Sequence, residues 1–127
     1  MREKISTAKA PAAIGAYSQA ILSNNLIFSS GQLPINPETG EMVESDIRKQ
    51  TKQSLDNLKF ILAEANSDCD HILKTTIFLS DLNNFSEVNK IYSEYFEGDP
   101  PARSCIEVAK LPKDSLIEIE AIALSQE

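Results

Sequence analysis

The sequence predicts an α+β fold. Two segments, 46–65 and 84–96, space their apolar residues by three and four, as amphipathic helices do. The segments around them are rich in β-branched residues or alternate apolar with polar. The order reads β-β-β, α, β, α, β-β, which places two helices on one face of a mostly antiparallel sheet.

A short first strand is placed at 4–6. Segments 14–22 and 26–30 flank Ser23-Asn24-Asn25, a hairpin signal. Residues 32–44 form the longest irregular stretch, with a tight turn at Pro37-Glu38-Thr39-Gly40. In the first helix Ile47, Thr51, Ser54, Leu55, Leu58, Ile61, Leu62 and Ala65 form one stripe. Ser45 or Asp46 can cap its start, and Asn66 suits a left-handed stop. A strand follows at 73–80, with Leu73, Thr75, Ile77 and Leu79 on one face. The second helix turns Phe85, Val88, Ile91, Tyr92, Tyr95 and Phe96 inward. Asn84 with Glu87 resembles a capping box, and Gly98 with Pro100-Pro101 ends the helix. Strands at 102–108 and 116–124 flank a turn at Leu111-Pro112-Lys113-Asp114.

Two helices do not cover both faces of a sheet this wide. The second face is then solvated or buried against other subunits. Ile122 and Leu124 add apolar residues to that face of the last strand, a hint of oligomerisation.

A chain of 127 residues is one domain's worth, 1–127, and buries about two-thirds of its unfolded surface. Twelve basic against nineteen acidic residues give a net charge of −7, with no basic run. That balance argues against a dedicated nucleic-acid binder. No apolar run approaches a membrane span, and no apolar segment follows the charged N-terminus as in a signal peptide. Cys69 and Cys105 read as reduced cytosolic thiols. Without a Cys/His cluster, and with His71 as the single histidine, neither a metal site nor a Ser-His-Asp triad is expected.

The last two strands carry the candidate chemistry. In a simple antiparallel hairpin, position 105 lies opposite about 118, and 103 opposite about 120. Arg103, Cys105, Glu118 and Glu120 then share a face, although a one-residue slip would break the arrangement. One reading is a solvated cross-strand ion pair. The other leaves the Arg103 fork for a substrate carboxylate, with Glu118 orienting water or moving a proton. Glu120 reads as a rim residue. Cys105 reads as a pocket-lining residue rather than a nucleophile, since no histidine stands beside it in sequence.

Several blocks resemble the Rid family, the reactive intermediate deaminases also called YjgF proteins. They are Pro11-Ala12-Ala13-Ile14-Gly15-Ala16-Tyr17-Ser18-Gln19-Ala20, Phe28-Ser29-Ser30-Gly31-Gln32-Leu33-Pro34, and Gln53-Ser54-Leu55-Asp56-Asn57-Leu58. The run from Lys74 to Leu82 with Phe85 and Asn89 is similar too, as are Pro101-Ala102-Arg103-Ser104-Cys105-Ile106-Glu107-Val108 and the segment ending Ile117-Glu118-Ile119-Glu120-Ala121-Ile122-Ala123. The likeness covers nearly the whole chain and is strongest to the RidA subgroup. One departure is Ala16, where the family often has proline before the tyrosine.

The resemblance implies a chorismate-mutase-like fold and a homotrimer. Its sheets form a central barrel, its helices lie outside, and its sites lie between subunits. It implies hydrolysis of 2-enamine and 2-imino acids, released by pyridoxal-phosphate dehydratases, to 2-oxo acids and ammonia in the cytoplasm, with no cofactor or metal. It implies Arg103 as the carboxylate grip, Glu118 as the acid that positions water, and Cys105 near the substrate nitrogen. Gly31 would offer backbone contacts with Ser30 beside it, and Tyr17 and Asn89 would line the cleft. Two alternatives stand beside the deaminase: a non-catalytic trimer that binds a small carboxylate and regulates a partner, and an RNA-cleaving translation inhibitor. Glu118 favours the enzyme over the first, and the acidic charge disfavours the second.

Overall fold

The computed structural model describes residues 1–126. Strands β1 (Glu3–Ile5), β2 (Ala20–Ser23) and β3 (Leu26–Ser29) form an antiparallel meander. A small hairpin follows, β4 (Ile35–Asn36) and β5 (Glu41–Met42), closed by the predicted turn with Gly40 at φ 76°. Then come α1 (Ile47–Glu64), β6 (Ile72–Leu79), α2 (Phe85–Ser93), β7 (Ala102–Glu107) and β8 (Ile117–Leu124). The main sheet has six strands in the order β1-β2-β3-β8-β6-β7, and every pairing but β6–β7 is antiparallel.

The predicted stripe of α1 is the core. Thr51, Ser54, Leu55, Leu58, Ile61, Leu62 and Ala65 are buried against Ile27, Ile77, Leu79, Ile117, Ile119 and Ala123. Asp46 caps the helix by accepting from the N–H groups of Arg48 and Lys49. Asn66, at φ 57°, supplies the left-handed stop. Asn24 and Asn25, at φ 50° and 64°, make the two-residue turn whose twist matches the strands it joins.

Four expectations need correction. Segment 14–22 is a strand only from Ala20. Its first half is a loop because the buried Gln19 side chain, not a neighbouring strand, satisfies the nearby backbone. Gln19 Nε2 donates to the carbonyls of Thr7 (3.0 Å), Ala10 (3.3 Å) and Pro11 (2.8 Å), and Oε1 accepts from the Thr7 N–H (2.7 Å). Second, Leu73 does not join the inward face of β6. It is the extra residue of a bulge between the pairs Ile72↔Ala123 and Lys74↔Ile122, and it points to solvent.

Third, α2 ends at Ser93, and Asn84 makes no side-chain cap. The chain enters α2 through a 3₁₀ turn at Leu82–Asn84, so the capping carboxylate is Asp81, which accepts from the Asn83 N–H at 2.9 Å.

Fourth, β7 and β8 do not form a hairpin. Strand β7 pairs with β6 in parallel, after α2 crosses over, and β8 lies on the other side of β6. Burial decides the placement. Strand β8 hides Ile117, Ile119, Ala121 and Ala123 and needs neighbours on both sides, whereas β7 is exposed at nearly every residue and takes the edge.

The second face of the sheet carries Ile21, Phe28, Phe78, Ile122, Glu118 and Glu120, with no helix over it. Among the described residues no helix is long and apolar enough to cross a membrane.

Candidate active site

Topology divides the predicted residues into two groups. Arg103 lies beside Thr75 of β6, and Cys105 beside Ile77, on the helix-covered face. Glu118 lies beside Phe78, and Glu120 beside Thr76, on the open face. Arg103 and Cys105 are thus on one side of the sheet and both glutamates on the other, which overturns the shared face expected from a hairpin.

The arginine group is built by β7 and α2. Arg103 Nη1 donates to Asn89 Oδ1 at 2.8 Å. Its Cζ lies 5.0 Å from the centre of the Phe85 ring and 5.1 Å from that of Tyr92. The Tyr92 hydroxyl shares a buried 2.7 Å hydrogen bond with Thr75 Oγ1. Among the described residues Arg103 forms no ion pair. Beside it opens a cavity of about 450 Å³, lined by Asn89, Tyr92, Phe96, Pro100 and Pro101. Cys105 packs partly against the core, and burial raises its thiol pKa against the opposing pull of Arg103. A thiol held protonated is a poor nucleophile.

The carboxylate group is built by β8 and the loop after β3. Strands β3 and β8 part beyond the pair Phe28↔Ile122, where the Ala121 N–H donates to Ser29 Oγ at 2.9 Å. They meet again at Gln32 and Ile119, whose backbones exchange hydrogen bonds of 2.8 and 3.2 Å. Gly31 sits in the bow between, and the Glu118 carboxylate lies against its Cα. A Cβ at Gly31 would overlap Oε2 and stand 2.8 Å from Cδ. Among the described residues nothing accepts a hydrogen bond from the Gly31 N–H.

Glu118 is half-buried. Desolvation raises its pKa first, and the like charge of Glu120 raises it further. Glu120 lines a shallow cavity of about 220 Å³ with Phe28, Ser29, Lys74 and Thr76.

Ser30 joins this group in a supporting way. Its hydroxyl donates to the Ser18 carbonyl at 2.6 Å, and its N–H donates to the Gln19 carbonyl at 2.8 Å. These bonds hold the loop that carries Tyr17, 53% exposed, and Ile14, 86% exposed. Loop 31–36 is in turn held from α1. Asn57 Nδ2 donates to the carbonyls of Leu33 (3.2 Å) and Ile35 (2.9 Å), and Gln50 Oε1 accepts from the Leu116 N–H (2.9 Å) at the start of β8.

Sequence reasoning missed these buried amides, and it assigned Phe85 and Tyr92 to the core alone. The signal for the latter was the spacing of Phe85, Asn89 and Tyr92, which share one helical face. Cys69 lies in the core, where burial pushes its thiol up to about 11. His71 sits on a 3₁₀ turn, with Nδ1 2.7 Å from Asp68 Oδ1.

Comparison with known proteins gives a consistent result. Residues 7–125 match the model of the family described as endoribonuclease L-PSP. The 2-iminobutanoate/2-iminopropanoate deaminase of Escherichia coli (strain K12) is 51% identical, covering 98% of each chain. The crystal structure of YyfA from Yersinia pestis, of the Rid protein family, superposes with a TM-score of 0.96 at 53% identity, covering 98% of this chain and 99% of that one. The crystal structure of E. coli TdcF with bound serine superposes with a TM-score of 0.93 at 42% identity, covering 98% and 99%.

Proposed function

The chain belongs to the endoribonuclease L-PSP family and, within it, to the Rid proteins, and from that premise we propose that it hydrolyses 2-imino acids to 2-oxo acids and ammonia. The substrates are 2-iminobutanoate and 2-iminopropanoate, the tautomers of enamines released by pyridoxal-phosphate dehydratases. The observation that carries this reading is the state of Arg103. It is a guanidinium fixed by Asn89 and two rings, and no carboxylate of the described chain neutralises it. Its fork suits a substrate carboxylate. The serine found in the TdcF structure is also a small molecule with a carboxylate beside a nitrogen-bearing carbon.

Glu118 supports the second half of the chemistry. A carboxylate with a raised pKa can take a proton from water as its oxygen adds to C2 of the imine. The C=N electron pair moves to nitrogen, which receives the proton that Glu118 took from water, and a carbinolamine forms. On its collapse Glu118 takes the hydroxyl proton and passes it to the leaving nitrogen, so the C–N bond breaks, the C2 carbonyl forms and ammonia departs. The Gly31 N–H is free to hold a substrate oxygen, and Cys105 and Tyr17 would line the same cleft.

Arg103 and Glu118 lie on opposite faces of the sheet, two strand spacings or about 10 Å apart across it. One small substrate does not reach both in one chain. We therefore assign the site to the junction of two copies, Arg103 from one and Glu118 from its neighbour, within a homotrimer whose open sheet faces meet. The apolar residues of that face, Phe28 and Ile122 among them, support such burial. A reducing cytoplasm suits the two free thiols. The net charge of −7 favours a small anion held by one arginine over a polyanion.

A coupled assay tests the activity. A threonine dehydratase generates the intermediate, and imine decay is followed with 2-oxobutanoate formation. Acceleration by the wild type, lost in Arg103→Ala and Glu118→Gln, is expected. A folded wild-type protein that leaves the decay at the buffer rate would overturn the proposal.

A further inference from the structure

We infer that Phe85 and Tyr92 are positioning residues that set the plane of the Arg103 guanidinium, with Thr75 fixing the second ring. This rests on the reading of Arg103 as the carboxylate grip. The two residues stand seven apart on α2, a rise of about 10.5 Å. The guanidinium carbon lies 5.0 Å from one ring centre and 5.1 Å from the other, so it occupies the gap between them. Asn89 projects from the intervening turn and takes Nη1 at 2.8 Å. One face of α2 thus grips Arg103 at three points, and the remaining N–H groups are left for a ligand.

The need for such a grip follows from where Arg103 stands. It is an exposed residue on an edge strand, with no carboxylate among the described residues to hold it. A long side chain there would otherwise sample many rotamers and lose that freedom on each binding event. Ring faces attract the cation without neutralising it or consuming its donors. A carboxylate would do both. The Tyr92 ring is itself held, because its hydroxyl is tied to Thr75 Oγ1, on the strand paired with β7, at the register position of Arg103.

The test compares ring-removing with ring-keeping variants: Phe85→Leu and Tyr92→Leu against Phe85→Tyr and Tyr92→Phe. Two readouts are taken, binding of 2-oxobutanoate by calorimetry and the KM and kcat of imine hydrolysis. Each Leu variant is expected to weaken 2-oxobutanoate binding and raise KM by about fivefold to tenfold, with kcat within about twofold, while Phe85→Tyr stays near wild type and Tyr92→Phe, which keeps the ring but loses its tie to Thr75, falls between the two. A folded Phe85→Leu protein with wild-type affinity and KM would overturn the inference, as would a loss confined to kcat. Phe85 is only partly buried, so that variant decides the matter if Tyr92→Leu does not fold. A wild-type protein that binds 2-oxobutanoate through Arg103 but hydrolyses no imine would refute the deaminase reading alone, and the binding data would still decide the positioning role.

Discussion

The carboxylate of Glu118 rests on the bare Cα of Gly31, so closely that a methyl group there would stand 2.8 Å from the carboxyl carbon. The glycine is required by proximity rather than by backbone conformation, since φ at Gly31 is not in the left-handed region. Gly31→Ala should therefore act on Glu118. The atoms in the way are the far end of a flexible side chain, so we expect a loss of stability below about 1 kcal/mol and a fall of about tenfold or more in kcat as the carboxylate is displaced. Adding Glu118→Ala to Gly31→Ala should restore much of the stability and none of the activity. Thermal melts and the coupled assay on the two variants and their combination check this.

The raised pKa of Glu118 makes a second prediction, for stability. A folded-state value above the ordinary carboxylate value favours the protonated form in the native state. That contribution is full below the ordinary value and is lost as pH rises through the folded value. Glu118→Gln removes the cost of keeping a half-buried charge. The variant should melt above wild type at pH 7, and the difference should close as pH falls toward about 4. Melting curves across that range are the measurement.

The same group should shape the rate. If Glu118 accepts a proton from water, kcat rises with pH through a limb set by its raised pKa. Glu120 is the second cause of the shift. Glu120→Gln should therefore move the limb to lower pH. A kcat profile of wild type and Glu120→Gln is the check, and an unmoved limb in Glu120→Gln would count against the assignment.

Gln19 offers a test of the loop. Its side chain is 3% exposed and makes four hydrogen bonds to the backbone of Thr7, Ala10 and Pro11. Gln19→Ala leaves those groups without partners and should cost about 1–3 kcal/mol. Amide hydrogen exchange should rise in residues 7–18 before it rises in α1.

Much of this architecture is legible in the residues. The α1 stripe, its Asp46 cap, the Asn66 stop and the Asn24-Asn25 hairpin each depend on neighbours within a few positions, and local spacing reveals them. Arg103 and Asn89 could be singled out, and they touch. The pairing of β7 could not be read from local signals. Pro112 marks a turn, and a turn between two strands suggests a hairpin, but β8 finds β3 and β6 through non-local burial. The clue was the polarity of Arg103, Ser104 and Glu107, which suits an edge strand. Gln19, Gln50 and Asn57 were hidden for a related reason: their partners are loop carbonyls and amides distant in sequence, and nothing in an amide side chain announces which backbone it will satisfy. The separation of Arg103 from Glu118 follows from the same misplaced strand; it removes the shared sheet face expected from a hairpin and is the ground on which the site is proposed between two chains, where the family resemblance also put it.

That junction is the central claim, and mixing two inactive variants tests it most directly. Arg103→Ala and Glu118→Ala chains would be co-refolded in equal amounts and assayed for imine hydrolysis beside each variant alone. If Arg103 of one chain works with Glu118 of its neighbour, half the chains supply each group and about a quarter of the junctions regain both, so activity should return to about a quarter of wild type. A mixed assembly that is as inactive as its parents would contradict the account and return both groups to a single chain.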